Sequence, residues 1–411
     1  MADTTNKGLG EPASSSADWE IPLNSNFEII DNAFGGRSSI DVTAVTTTQT
    51  LTIAQYRNLI ITFTGTLSAN LTYQVPSGIG GQWFIFNTTS GSYTLTISTS
   101  ASGGATVIVP SNGGSALYSD GTNVYQYASN SNISPRGVFG GGYTTTYSVV
   151  MDYITIGTTG NATNFGNLTV ARWGVGGVSS GTRGVFGGGA VSAGTSAVMD
   201  YITIATTGNA TNFGNLTAAN YGLAGVSNST RGVFGSSSNL EYITIATTGN
   251  AAVFGNLTSA RSFMGSVASS TRGVFAGGSG VATMDYITIA TTGNATSFGN
   301  LTLARYSLAG VSSGTRGVFG GGTTGTVSAV MDYITIATTG NATSFGNLTI
   351  ARSDLGGVSN SATGVFGGGT TGAVSAVMDY ITIATTGNAT TFGNLTVARY
   401  GLAGISSYVP S

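Results

Sequence analysis

The 411-residue chain contains neither cysteine nor histidine, and only 7% of its residues are charged. Without cysteine there is no disulfide framework and no thiol nucleophile. Without histidine there is no His-based triad, and the two absences together remove the usual zinc sites. No run of about 18 apolar residues is available to cross a bilayer, and the opening MADTTNKGLGEP lacks the basic flank and apolar stretch of a secretory signal. The expectation is a soluble protein made in a cytoplasm, with no metal, no cofactor and no membrane insertion. Basic residues are scarce as well. Residues 1–130 hold three basic and eight acidic side chains, and residues 131–411 hold ten and seven. The arginines of the second part are evenly dispersed and form no basic stripe, which argues against nucleic acid as a partner.

In place of charge the chain has 65 glycines and many Thr, Ser, Asn, Ile, Val, Phe and Tyr residues. Disordered chains lack β-branched and aromatic residues, so this mixture indicates strands joined by glycine-rich turns.

A segment of the form TRGVFGGG…SAVMDYITIATTGNATNFGNLTVARYGLAGVSSG recurs six times. Its Val-Phe pairs end at Phe139, Phe186, Phe234, Phe275, Phe319 and Phe366, in steps of 47, 48, 41, 44 and 47. Such steps suit a four-stranded blade. An acid follows each Phe: Asp152, Asp200, Glu241, Asp285, Asp332 and Asp379. From each of the first five acids to the next repeat's Phe is always 34 residues, whereas from Phe to acid the distance is 13, 14, 7, 10, 13 and 13. All length variation therefore sits in one loop, which places it on one face, often the binding face.

Each repeat reads as four strands: GLAGVSS, RGVFGG, MDYITIAT and NFGNLT. The middle two are apolar on both sides, as Ile154 and Ile156 against Tyr153 illustrate, so they need neighbours on both sides. The Gly160-Asn161 step of TTGNAT is expected to supply a hairpin turn with φ > 0. The first repeat begins at Arg136 without its GLAGVSS strand, and Gly401–Ser406 supplies that strand at the other end. The C-terminal strand is thus expected to complete the first blade and close a ring of six. The repeat resembles the kelch motif in Gly140-Gly141, Tyr153, Phe165, Leu168 and Arg172. It departs from it in having Phe where that family usually has Trp, and in Gly235-Ser236, which breaks the double glycine. The resemblance implies a kelch-like β-propeller over about 275 residues and leaves function open.

Ahead of the repeats, residues 37–130 alternate in strand fashion (SIDVTAV, NLIITFTG, GQWFIFNTT, SYTLTIST, ATVIVP) and read as a small β-sandwich or barrel. Residues 1–36 carry a capping box at Ser25-Asn26-Phe27-Glu28, with Phe27, Ile30 and Phe34 on one face of a short helix. The expected architecture is all-β: a 1–36 attachment segment, a 37–130 domain and a six-bladed propeller over 131–411.

The stretch W…PLNSNFEIIDNAFGG is similar to N-terminal regions of bacteriophage tail fibres and related virion proteins. The NLIITFTGTLSANLTYQVP…FNTTSGSYTLTIS…VIVPSNGGSALYSDGTNVY pattern resembles a β domain that recurs in phage tail proteins. Propeller repeats of this type also look like those of phage structural proteins. The resemblance implies a virion protein, located in the phage tail and made in the host bacterial cytoplasm. It would attach to other tail proteins through its N-terminal segment and meet a host surface receptor or glycan. Fibres of this sort are often homotrimers, although no heptad repeat here marks one. The alternatives are a head or tail decoration protein and a polysaccharide depolymerase.

Two sets of side chains are candidates for a site. The repeated acids, with the arginines before GVF (Arg136, Arg183, Arg231, Arg272, Arg316) and after the LT strand, are expected to pair structurally rather than to catalyse. Thr363 replaces one of the first set and Asn220 one of the second. Beyond the second arginine stand Trp173, Tyr221, Ser262, Tyr306, Ser353 and Tyr400, on the same expected face as the loop residues Tyr143 and Tyr147. These aromatics either form a ligand-binding surface for sugar rings or a partner, or pack under the neighbouring loop.

Overall fold

The computed structural model describes residues 36–91, 93–109, 113–126 and 135–408, together with Ile30. The short helix expected around Phe27 to Phe34 lies outside the described residues. The chain divides into two compact units, Met1–Asn132 and Ile133–Ser411.

Among its described residues the first unit contains nine strands in two sheets: β1 (Arg37–Asp41), β2 (Gln49–Thr50), β3 (Ile60–Thr64), β4 (Leu71–Val75), β5 (Gly80–Asn87), β6 (Leu95–Thr99), β7 (Val107–Val109), β8 (Gly113–Asp120) and β9 (Val124–Gln126). A four-residue helix, Ile53–Tyr56, follows β2. The sheets run β1-β3-β5-β8-β9 and β2-β4-β6-β7. The chain alternates between them, and successive strands in each sheet are parallel: Ile60 pairs with Phe84, and Leu71 with Leu95. That register is a 24-residue step, shortened to 23 between β1 and β3 (Arg37 opposite Ile60), so the first six strands form three stacked coils. The last strands turn back antiparallel. The alternation of the sequence holds: Ile61, Phe63, Trp83 and Ile85 of one sheet meet Leu71, Tyr73, Leu95 and Ile97 of the other in one core. The buried Trp83 indole donates to the carbonyl of Tyr56 at 2.7 Å, which satisfies its only polar group.

The second unit is a six-bladed β-propeller. Each blade has an inner strand (for example Ala309–Ser312), a second strand (Arg316–Gly320), a third strand (Val330–Thr335) and an outer strand (Thr343–Asn347), all antiparallel. In the third blade the second and third strands merge into one 14-residue strand, Arg231–Thr244, because its connecting loop is the shortest. The ring closes as expected: Ala403–Ser406 pairs with Arg136–Gly140, Val138 opposite Ile405.

Six apolar cores hold the ring, each shared by two consecutive blades. One blade contributes Val, Met, Phe and Leu (Val185, Met199, Phe213, Leu216) and the next contributes Phe and two Ile (Phe234, Ile243, Ile245). Burying one such Phe is worth roughly 2–3 kcal/mol. The glycine after GVF makes the fit: a Cβ on Gly140 would lie 2.7 Å from the Phe186 ring of the next blade.

Blades are also joined through their backbones. The chain reverses at Thr155–Thr158, where the Thr158 amide donates to the Thr155 carbonyl. The Gly160-Asn161 step therefore does not form the turn, contrary to expectation. It stitches blades together instead. In the second copy the Gly208 and Ala210 amides donate to Phe165 and Asn167 of the preceding outer strand, and Asn209 Oδ1 accepts the Asn167 amide. Each outer edge is thereby covered by the following blade.

Inner strands approach one another more closely than a side chain allows. A Cβ on Gly310 would stand 2.0 Å from the Ser266 carbonyl oxygen, whereas one on Gly340, in the exposed Gly-Asn step that joins its blade to the preceding one, meets nothing within 4 Å. Gly310→Ala is expected to destabilise the protein by about 1–3 kcal/mol and Gly340→Ala to change it by less than about 0.5 kcal/mol. Urea denaturation of the two variants measures both.

Candidate functional site

The upper face of the ring carries the variable loops and the connections from each outer strand to the next inner strand. The turns at Ser180–Arg183 and at TTGNAT form the lower face. The chain enters and leaves on the lower face, where the Ser407 amide donates to the Arg136 carbonyl and the Arg136 amide to Ser407 Oγ.

The repeated acids lie just beneath the upper face, buried at the third strand, where a β-bulge interrupts pairing with the outer strand (between Met199 and Asp200 in the second blade). A bulge re-aims a side chain, and here the carboxylate meets donors from the preceding repeat. Asp200 accepts the Thr169 hydroxyl and the Arg172 guanidinium, the latter at 2.7 Å. Four further pairs repeat this: Arg261–Asp285, Arg305–Asp332, Arg352–Asp379 and, across the ring closure, Arg399–Asp152, at 2.6–2.8 Å. Arg172 also donates to the carbonyls of Phe186, Gly188 and Val198. Burial lowers the Arg172 pKa from its ordinary value, and the Asp200 charge opposes that shift.

The sequence left open which arginine of each repeat meets the acid. It is the one after the LT strand. The arginines before GVF have another structural role: Arg136, Arg183, Arg231, Arg272 and Arg316 lie over Tyr153, Tyr201, Tyr242, Tyr286 and Tyr333, 4.3–4.6 Å from the ring centres. Each also donates to two carbonyls further along the ring, Arg136 to Ile204 and Ala205. In the third blade Asn220 removes the pairing arginine. There the acid is Glu241, which accepts the Thr217 amide at 2.7 Å.

Above this layer the predicted aromatics converge on one side of the face. Tyr147 meets Tyr143 at 5.4 Å between ring centres, Tyr143 meets Tyr400 at 5.5 Å, and Trp173 touches Tyr400 and Tyr221 at 5.9 and 5.8 Å. Phe263, which the sequence did not single out, stacks on Trp173 at 5.8 Å and meets Tyr221 edge-on. Tyr306 has no ring partner among the described residues and pairs through its backbone with Thr323. The cluster is half-exposed; Tyr221 keeps 39% of its surface. Neither sequence alternative describes it alone, since the rings pack on each other and still face outward.

At the centre of the face, six backbones close a hydrogen-bonded ring around the axis. Gly174 donates to Gly401, Gly222 to Gly174, Phe263 to Gly222, Ser307 to Phe263, Asp354 to Ser307 and Gly401 to Asp354, at 2.7–2.9 Å. All six residues have φ between 56° and 67°, a conformation glycine adopts freely and other residues seldom do. Beneath this ring an axial cavity of about 190 Å³ is lined by all six inner strands, with Asp354, Ser307 and Phe263 at its upper end and Tyr408 among its other walls. Tyr408 donates its hydroxyl to the Ser313 carbonyl at 3.0 Å. Desolvation raises the Asp354 pKa above 3.8, against hydrogen bonds from Ser307 and Ser353.

Removing one partner of a buried pair strands the other. Arg305→Met is expected to cost about 3–5 kcal/mol, and adding Asp332→Leu to recover most of it; denaturation midpoints of the two variants decide. Asp354 holds its proton more tightly folded than unfolded. Its contribution to stability is therefore present below the unfolded value of 3.8 and lost as pH rises through the raised folded value. Asp354→Asn should flatten that fall and raise the melting temperature at pH 7 relative to the parent. No protein-family model matches this chain, and no curated protein matches it.

Proposed function

We propose that the protein is a phage tail fibre or adhesin that binds the host cell surface, through a receptor or glycan, without cleaving bonds. The contact surface is the upper face of the propeller. The observation that carries this reading is the connected, half-exposed set Tyr147, Tyr143, Tyr400, Trp173, Tyr221 and Phe263, on the face opposite the chain ends of the ring. Aromatic faces stack on the apolar faces of sugar rings, and their hydroxyls and indole nitrogen fix orientation by hydrogen bonds. The loops of variable length surround the same face, so its outline is set independently of the blades.

A depolymerase would need two carboxylates about 5–10 Å apart, one of them free to take up and release a proton. Five of the six repeated acids are instead tied to buried arginines, which supports binding over hydrolysis. In this reading residues 1–36 join the chain to other tail proteins, and the propeller is carried outward on the virion.

The test is adsorption of the labelled full-length chain to bacterial cells and to arrayed bacterial surface polysaccharides. Trp173→Ala and Tyr400→Ala, with melting temperatures checked, are expected to weaken binding at least tenfold. Binding equal to that of the parent would remove this face as the contact surface. A parent chain that sits on the virion and binds no cell would support the decoration role.

A further inference from the structure

We infer that the upper end of the axial cavity is a subsite for a protonated primary amine on the bound glycan, with Asp354 as its counter-ion. This deepens the reading of the upper face as a sugar-binding surface and rests on it.

The argument begins with a departure from symmetry. Three of the six axial positions are glycine: Gly174, Gly222 and Gly401. The other three, Phe263, Ser307 and Asp354, keep the same left-handed backbone, with φ of 61°, 57° and 56°. Such conformations cost non-glycine residues free energy and collect at functional sites. The three side chains so held are neighbours on the ring and line the upper end of the cavity.

Asp354 is the only charged side chain among the residues lining that cavity. Among the described residues it has no cationic partner. The nearest arginines along the chain are committed elsewhere, Arg352 to Asp379 and Arg399 to Asp152. Its hydrogen bonds come from hydroxyls: Ser353 Oγ donates to Oδ2 at 2.9 Å, and Ser307 contributes another. A partly desolvated carboxylate met only by neutral donors is a site that a cation completes.

The surroundings select the kind of cation. Tyr400 adjoins Gly401, whose amide donates to the Asp354 carbonyl, and the Phe263 ring lies over Gly222 with Trp173 stacked on it. Carboxylate and aromatic faces together recognise ammonium groups, through charge pairing and cation–π attraction. A metal ion would need more hard oxygen ligands than this, and no group of three carboxylates gathers among the described residues. The cavity, about 190 Å³, has room for a six-membered ring.

Calorimetric titration of the full-length chain at pH 7 with glucosamine, N-acetylglucosamine and glucose tests the inference. Glucosamine is expected to bind at least tenfold more tightly than the two neutral sugars. Asp354→Asn, which keeps a residue tolerant of the left-handed backbone, is expected to abolish that preference. Ethanolamine, an amine without a sugar ring, distinguishes a simple ammonium site: binding as tight as that of glucosamine would overturn the glycan assignment. Equal affinity for the three sugars, or an unchanged preference in Asp354→Asn, would overturn the subsite. If neutral polysaccharides still bind and Trp173→Ala still weakens them, that outcome leaves the contact face intact. Loss of all glycan binding to the parent chain would remove both.

Discussion

A carboxylate taken out of water must be met by donors, and these arrive from the preceding repeat, with an arginine among them in five of the six blades. The threonine and arginine of the LT…AR connection close on the aspartate of the next blade, so each pair ties together two consecutive units. A buried ion pair is weak as a source of net stability, because desolvation offsets most of the attraction. Its value lies in geometry. Arg172, Arg305 and Arg352 also take carbonyls at the ends of the second and third strands, and there the guanidinium fixes where the loop leaves the blade. The upper face inherits its positions from these locks.

That lock explains how the face can vary. Between the glycine of GVFGG and the acid, the chain is held at both ends, and the stretch between is free to change in length. The third blade takes this furthest. Its loop shrinks to a tight hairpin, its arginine becomes Asn220 and its acid lengthens to Glu241, yet the flanking cores keep the same Val, Phe and Ile positions. The blade tolerates loss of the pair because the Thr217 amide still reaches the longer carboxylate.

Much of the propeller was legible because a closed ring repeats one solution six times. Regular steps between Phe139 and Phe366 indicated blades, and the missing first and last strands indicated closure. The 24-residue coils of the first unit escaped notice because their repeat is one of backbone register: Ile60 sits on Phe84 and Thr66 on Ser90, pairs with little identity. The aromatic positions could be placed on a face from strand order, but their mutual contact could not, since Trp173 and Phe263 meet across two blade boundaries. Phe263 and Asp354 stand at a position of the repeat that is glycine in three copies, and nothing in the sequence marks that position. Only the hydrogen-bonded ring shows that its six copies encircle the axis.

Closure through Ala403–Ser406 joins residues about 267 positions apart, since Val138 pairs with Ile405. During synthesis the first blade therefore waits, one strand short and with an open edge, while every other blade is made. The exposed backbone of Arg136–Gly140 is then a hazard, able to recruit the equivalent strand of another copy. The near-identity of the six inner strands sharpens the problem, because each could occupy the vacant place in the wrong register of the circle. Assembly in sequence order, each blade docking on its predecessor as it emerges, is the kinetic route that leaves the last strand a single unoccupied partner.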